Sequence, residues 1–292
     1  MSYETLHPNW ERSALGITDG YSLEMTVKDR EALDVAAPLI APDTPIAVTF
    51  LPGEDMDQRV ATAVHIRELG FEPMPHLSAR RIESESELAT MVERITKEAG
   101  ARRCFLVAGD PSEAAGPYSD TLQMIRSGVF EANGITAVGI AGHPEGHAQV
   151  AAEDLWAWMG DKTGEIQQRG MVPLVVTQFG FNPDAFVQWL AEMRRRGFDA
   201  PVRIGVPGPA GIKRLLRYAK FCGVGASTAV LKKYGISLGN LIGSAGPDKL
   251  VNALADGIGP EHGRVRLHFY PFGGLEKTVE WIHGYSRRQA SA

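Results

Sequence analysis

Short apolar runs in this chain repeatedly end in one ionisable or amide side chain and then give way to a segment with helical spacing. Tyr21-Ser-Leu-Glu24 ends in a carboxylate, Pro45-Ile-Ala-Val-Thr49 in a hydroxyl and Glu72-Pro-Met-Pro-His76 in an imidazole. Cys104-Phe-Leu-Val-Ala-Gly-Asp110 and Pro173-Leu-Val-Val-Thr-Gln178 repeat the pattern. Apolar runs bounded by turn residues and alternating with helices read as parallel strands of βα units. Eight strands are expected, at 21–26, 45–50, 72–77, 103–109, 136–141, 173–178, 201–206 and 265–270. Eight such units close into a (β/α)8 barrel, whose strand C-termini surround one mouth where chemistry is done. Glu24, Thr49, His76, Asp110 and Gln178 are therefore expected to converge there, which points to an enzyme.

The helical segments fit this reading. Asp55 to Gly70 places Val60, Ala63, Val64, Ile66 and Leu69 on one face, and Glu85 to Gly100 does the same with Leu88, Met91, Val92 and Ile95. Asn182-Pro183 supplies an N-cap and a proline at the first helical position. The interval from Val206 to Val265 is too long for one ordinary crossover, and extra helices are expected at 210–222, 226–234 and 247–257. A length of 292 residues then accommodates a single α/β domain, 1–292, a (β/α)8 TIM barrel with extra helices before the last strand.

Bulk properties exclude several classes. A net charge of −5 leaves no basic footprint for nucleic acid, and no apolar run reaches the roughly 18 residues of a membrane span. Cys104 and Cys222 form neither a disulfide framework nor a metal spacing; both lie in apolar segments and read as buried, reduced thiols. A cytoplasmic location is expected, and a homo-oligomer is compatible with the sequence.

Glu24, flanked by Leu23 and Met25, is a candidate general acid, because partial desolvation lifts a carboxyl pKa toward neutrality. Asp110 follows Gly109 and suits either ligand binding or turn capping before Pro111. Gln178 is an amide that needs a substrate or backbone partner. Ala141-Gly-His-Pro-Glu-Gly-His147 gathers His143, Glu145 and His147, but its spacing fits no zinc signature, so no metal is expected. His268 and Tyr270 alternate with Phe269 and share a face, which reads as barrel packing. No G-x-G-x-x-G or P-loop is present.

Ser22-Leu-Glu24, Ala47-Val-Thr49, Pro75-His-Leu77, Gly109-Asp110, Pro144-Glu-Gly-His147, Thr177-Gln-Phe179 and His268-Phe-Tyr270 stand in order at strand ends. In this the chain resembles the methylenetetrahydrofolate reductase family, from about Tyr21 to about Ile282. The resemblance implies reduction of 5,10-methylenetetrahydrofolate to 5-methyltetrahydrofolate by NADH or NADPH, or the reverse in a demethylation pathway. It implies Glu24 as the acid, Asp110 as the pterin-binding carboxylate, and Gln178, Thr49 and Phe272 as substrate contacts. Thr49, His76, Gly109, His143, His147 and Asp154 match positions around the family's FAD. The family's arginine before Gly-Asp is Ala108 here. Its tyrosine before Pro-Glu is His143. Its polar and basic positions after Asp154 are Ala157, Gly160 and Asp161, and its Thr-Leu-Asn-Arg after His-Phe-Tyr is Pro271-Phe-Gly-Gly274. Each cation lost from a phosphate forfeits about 1.5–3 kcal/mol, so FAD is expected to bind weakly or not at all. The alternative reading is a non-catalytic folate- or flavin-binding barrel that acts with a partner protein.

Overall fold

The structure, a computed structural model, describes residues 16–224 and 246–290. Eight strands close in sequence order into a parallel barrel. They are β1 (Ser22–Met25), β2 (Pro45–Val48), β3 (Glu72–Ser78), β4 (Arg103–Val107), β5 (Ala137–Gly142), β6 (Val172–Phe179), β7 (Val202–Pro207) and β8 (Val265–Tyr270). The ring is sealed by β1 against β8, where Ser22 pairs with His268 and Leu23 with Phe269. Every expected strand is present.

Helices α1 (Arg30–Ala36), α2 (Met56–Glu68), α3 (Glu85–Lys97), α4 (Thr121–Arg126) and α5 (Val129–Ala132) follow the first four strands. Then come α6 (Ala152–Gln168), α7 (Pro183–Arg195), α8 (Ile212–Phe221), α9 (Asp248–Gly257) and α10 (Leu275–Ala290). Side-chain oxygens start several of them: Asp55 accepts from the Gln58 amide at 2.7 Å, Ser84 from Glu87 at 3.1 Å and Asp120 from Gln123 at 2.9 Å. The extra helices expected over 210–222 and 247–257 are α8 and α9, whereas 226–234 lies outside the described residues. None of the described helices is long and apolar enough to cross a membrane.

The interior of the barrel is filled by inward residues of alternate positions, among them Ala47, Met74, Phe105, Leu174 and Val176. Phe105 takes up the space that a side chain on β5 would need, since a Cβ on Gly139 would lie 2.6 Å from its ring. At the opposite end from the mouth, the first residues of β3 and β4 bring charge into the barrel. Glu72 accepts from Arg67 at 2.7 Å and lies 3.9 Å from Arg103, while buried Arg203 donates to the Gly20 carbonyl at 3.0 Å. The outer layer is apolar where helix meets sheet: Phe186, Leu190 and Met193 of α7 are fully buried.

Two local expectations are corrected. Cys104 is buried, but Cys222, the residue that follows α8, is exposed. Asn182 stands at the N-cap position of α7 with Pro183 after it, but its side chain makes no capping hydrogen bond.

The fit of Phe105 to Gly139 gives a stability test. Gly139→Ala is expected to cost about 1–3 kcal/mol by overpacking, and Phe105→Leu in the same chain should recover part of it. Urea unfolding of the two single variants and the double variant measures the coupling.

Candidate active site

The strand C-termini build the mouth. Glu24 leans into it from β1 with 18% of its side chain exposed. Two imidazoles face its carboxylate, His76 from β3 and His268 from β8, each with Nε2 at 3.7 Å from Oε2. These distances are contacts rather than hydrogen bonds. His268 is fixed from behind by the buried Ser22 hydroxyl, 2.8 Å from Nδ1. Both members of that pair come from the seam that closes the barrel. Burial, partly opposed by the charge of Glu24, holds His76 at a pKa of about 4, and it is neutral at pH 7. Its ring rests on Phe105, with centroids 4.7 Å apart.

Thr49 stands beside Glu24. Its amide donates to the Met25 carbonyl at 2.9 Å and its hydroxyl to the same oxygen at 3.3 Å, so the ends of β1 and β2 are tied together. Across the mouth, β6 carries a bulge. Val176 pairs with Arg203 and Phe179 with Gly205, so Thr177 and Gln178 oppose the single residue Ile204. The freed groups of Thr177 are taken up locally: its hydroxyl accepts from the Gly205 amide at 2.8 Å, and its carbonyl accepts from the Tyr270 hydroxyl at 3.0 Å. Burial, and then the negative charge of Glu24, keep the Tyr270 phenol well above its ordinary pKa, so it stays a donor. Gln178 accepts from the Phe179 amide at 3.0 Å through its side-chain oxygen.

An aromatic wall adjoins this bulge. Phe179, Phe181, Tyr218, Tyr270 and Phe272 pack together with the apolar face of α8. Tyr218 stacks on Phe272 at 4.2 Å, and Phe272 meets Phe179 edge-on at 4.7 Å.

Asp110 lies on the loop after β4, largely exposed, with Arg81 at 3.3 Å. Gly109 before it has φ +97°, and a Cβ there would sit 2.1 Å from the Ser78 hydroxyl, so that step admits only glycine. Cys222 ends α8 over the mouth; the surrounding protein, followed by the charges of Glu24 and Asp110, pushes its thiol up to about 11.

The β5 loop forms the remaining side. His143 and His147 meet edge-on at 5.5 Å. Burial, then His147 and Lys162, lower His143 to about 4. Glu145 does not join them. It turns toward the β6 loop, where one oxygen accepts from the amides of Phe181 at 3.0 Å and Asn182 at 3.1 Å. These two amides stand just before α7, so Glu145 holds the segment that leads into the helix. Among the described residues, no three His, Cys, Asp or Glu side chains gather into a metal site. Beyond this loop, Asp154 is exposed in the first turn of α6, where the acids are Glu153 and Asp154. Lys162 is near enough to act on His143, and its own pKa is lowered by burial, opposed by the charges of Asp120 and Asp161.

The structure thus brings Glu24, Thr49, His76 and Gln178 to one mouth, places Asp110 on its rim, and sets His143 and His147 to one side. Sequence reasoning did not assign Ser22 and His268 to Glu24, Glu145 to α7, or Phe179, Phe181 and Tyr218 to a wall. The i, i+2 pairs Ser22/Glu24 and His268/Tyr270 were the available signal for the first.

A closed (β/α)8 barrel with a carboxyl group, two imidazoles and an aromatic wall at its C-terminal mouth has the layout of a TIM-barrel enzyme. The sequence profile of the family described as "Methylenetetrahydrofolate reductase" matches residues 40–272, and the chain belongs to that family. It is 25% identical over 172 residues to "Methylenetetrahydrofolate reductase 2" of Saccharomyces cerevisiae, which covers 56% of this chain and 26% of the relative. The chain's match thus spans about a quarter of that relative's length. Among solved structures it is similar to one described as "Uncharacterized protein from Clostridium thermocellum binds two copies of 5-methyl-5,6,7,8-tetrahydrofolic acid". The TM-score there is 0.62 at 12% identity, covering 94% of this chain and 96% of that one, a likeness of fold.

The lowered imidazoles predict an acid-sensitive fold. Below the ordinary histidine pKa of about 6.5, the unfolded chain binds protons that buried His76 and His143 refuse, so stability falls as pH drops. The loss ends near pH 4, where the folded imidazoles protonate as well. Urea midpoints should decline between about pH 6.5 and 4, and His76→Gln should flatten that slope.

Proposed function

We propose that this chain reduces 5,10-methylenetetrahydrofolate to 5-methyltetrahydrofolate, with NADH or NADPH as the hydride source. The observation that carries the reading is Glu24, a partly shielded carboxyl group between two imidazoles at the mouth of a barrel of this family. Glu24 protonates N10 of the folate. The N10–methylene bond breaks and leaves a 5-iminium cation, and hydride from the nicotinamide adds to the exocyclic carbon. Glu24 regains its proton from solvent. A neutral His76 suits this role, since a fixed cation beside the carboxyl group would pull its proton away. With Ser22 donating to Nδ1 of His268, the Nε2 proton faces Glu24 and stabilises the carboxylate left by the transfer.

Asp110 binds the pterin N–H groups, and its negative charge favours the cation. Its contact with Arg81 is exposed and is given up at little cost. Gln178 exchanges its bond to the Phe179 amide for the substrate. Phe272 and its aromatic neighbours hold the ring system, and Thr49 fixes the strand ends beside Glu24.

The family implies FAD, whose isoalloxazine would relay the hydride. The residues present do not fit its diphosphate. Along α6, Asp154, Ala157 and Asp161 are exposed, and the nearby Lys162 is half-buried, with its pKa lowered by burial. Two or three lost phosphate contacts, at about 1.5–3 kcal/mol each, weaken a flavin by several powers of ten. FAD is therefore weakly bound or unbound, and the hydride passes directly from nicotinamide to folate.

Two measurements test this. Glu24→Gln should lower turnover by about 10²- to 10⁴-fold with little change in folate affinity; full activity in that variant would remove Glu24 from the mechanism. Flavin-stripped protein should oxidise NADH or NADPH with methylenetetrahydrofolate, and added FAD should change the rate little. Turnover appearing only with FAD would overturn the direct transfer, and none in either case would favour a non-catalytic barrel.

A further inference from the structure

The loop from Ala108 to Asp120 carries Asp110 and contains neither helix nor strand. Its shape comes from a neighbour. The 3-10 turn Ala79–Arg81 follows β3, and one of its residues, Arg80, bonds to the loop at four points. The Arg80 amide donates to the Ala108 carbonyl at 2.9 Å, and its carbonyl accepts from the Ala115 amide at 2.9 Å. The side chain reaches the rest: Nη1 donates to the Pro111 carbonyl at 3.1 Å and Nε to the Ser119 carbonyl at 3.0 Å. One guanidinium thereby joins the outgoing arm of the loop, next to Asp110, to the returning arm.

Two glycines seat the loop on the same support. A Cβ on Gly109 would lie 2.1 Å from the Ser78 hydroxyl, and one on Gly116 would lie 2.4 Å from the Glu83 carbonyl oxygen. The loop therefore rests against the end of β3 and the segment after it, on both sides of Arg80. Its returning arm is also fastened to α4, since the Ser119 amide donates to the Gln123 side chain at 2.8 Å. Asp110 is exposed, and its side chain meets Arg81 at 3.3 Å on the surface, a contact too weak to fix a backbone. The planar guanidinium of Arg80 suits the larger task. Its N–H groups point in fixed directions and reach two carbonyls at once, which a lysine ammonium on a flexible stem does not reproduce.

We infer that Arg80 is a positioning residue: it braces the loop after β4 so that the Asp110 carboxylate stands at the rim of the mouth, and affinity for the pterin depends on that brace. The inference rests on the proposed role of Asp110. It gives a use to an arginine that enters the loop from β3, in a chain that has Ala108 ahead of Gly109 and Asp110.

The test measures equilibrium binding of 5-methyltetrahydrofolate and of NADH to the full chain and to Arg80→Lys, Asp110→Asn and the double variant. Arg80→Lys keeps the charge and removes the fork. It should weaken folate binding about ten-fold while NADH binding is unchanged. In the Asp110→Asn background the same change should cost less than about two-fold, because the brace acts through that carboxylate. Gly116→Ala lifts the loop by a separate route and should reproduce both results, which keeps the inference open to test if Arg80→Lys folds poorly. Unweakened folate binding in Arg80→Lys, or an equal loss with and without the Asp110 carboxylate, would overturn the inference. So would weaker NADH binding in Arg80→Lys, because the guanidinium would then serve the dinucleotide. If Asp110→Asn binds folate as the unaltered protein does, the role of Asp110 fails and the brace falls with it. If Asp110→Asn loses affinity and Arg80→Lys does not, the role of Asp110 stands and the brace alone falls.

Discussion

The pairing of the first strand with the last holds both the fold and the site. Until β8 lies beside β1, the sheet has two open edges, and Ser22 and His268 are separated by most of the chain. Once Ser22 pairs with His268 across the seam, their side chains face the same interior and lie 2.8 Å apart. The contacts that close the barrel also orient an imidazole toward Glu24. A non-local pairing of this kind must wait for the intervening chain to order, so Glu24 acquires its full environment only in the completed barrel.

Polar atoms at the mouth are then satisfied by irregularities rather than by the ladder. The bulge in β6 releases the carbonyl and hydroxyl of Thr177, which Tyr270 and Gly205 take up. The same bulge sets Gln178 and begins the aromatic wall. On the other side, the charge in the barrel floor, where Glu72 lies between Arg67 and Arg103, is removed from the chemistry. The interior layer of Ala47, Met74, Phe105, Leu174 and Val176 separates the two ends. Floor, packing layer and mouth thus occupy successive levels of the same eight strands.

The strands were legible in the sequence because each is a short apolar run between turn residues, and the mouth because the polar residue at each strand end obeys a positional rule. Glu24, Thr49, His76 and Gln178 needed only that rule. His268 also obeys the alternation, but its pairing with Ser22 depends on barrel closure, which no local pattern encodes; it was therefore read as packing. Asn182 does stand at the N-cap position, as its residue type and the following proline suggest, but its side chain makes no capping bond, and its own amide is held by Glu145 from a loop distant in sequence. Cys222 was misread because apolar neighbours in sequence do not tell how far a residue that follows a helix is covered.

Glu145 carries one consequence beyond the reaction. Its single oxygen joins the loop after β5 to the loop after β6, and in barrels of this type such loops are usually the freely variable parts. Here the two cannot diverge separately. An insertion near His143 that shifted Glu145 would release the start of α7 and disturb Phe181, and a changed β6 loop would leave a carboxylate without its donors. Variation across relatives should therefore arrive in both loops together, or in neither.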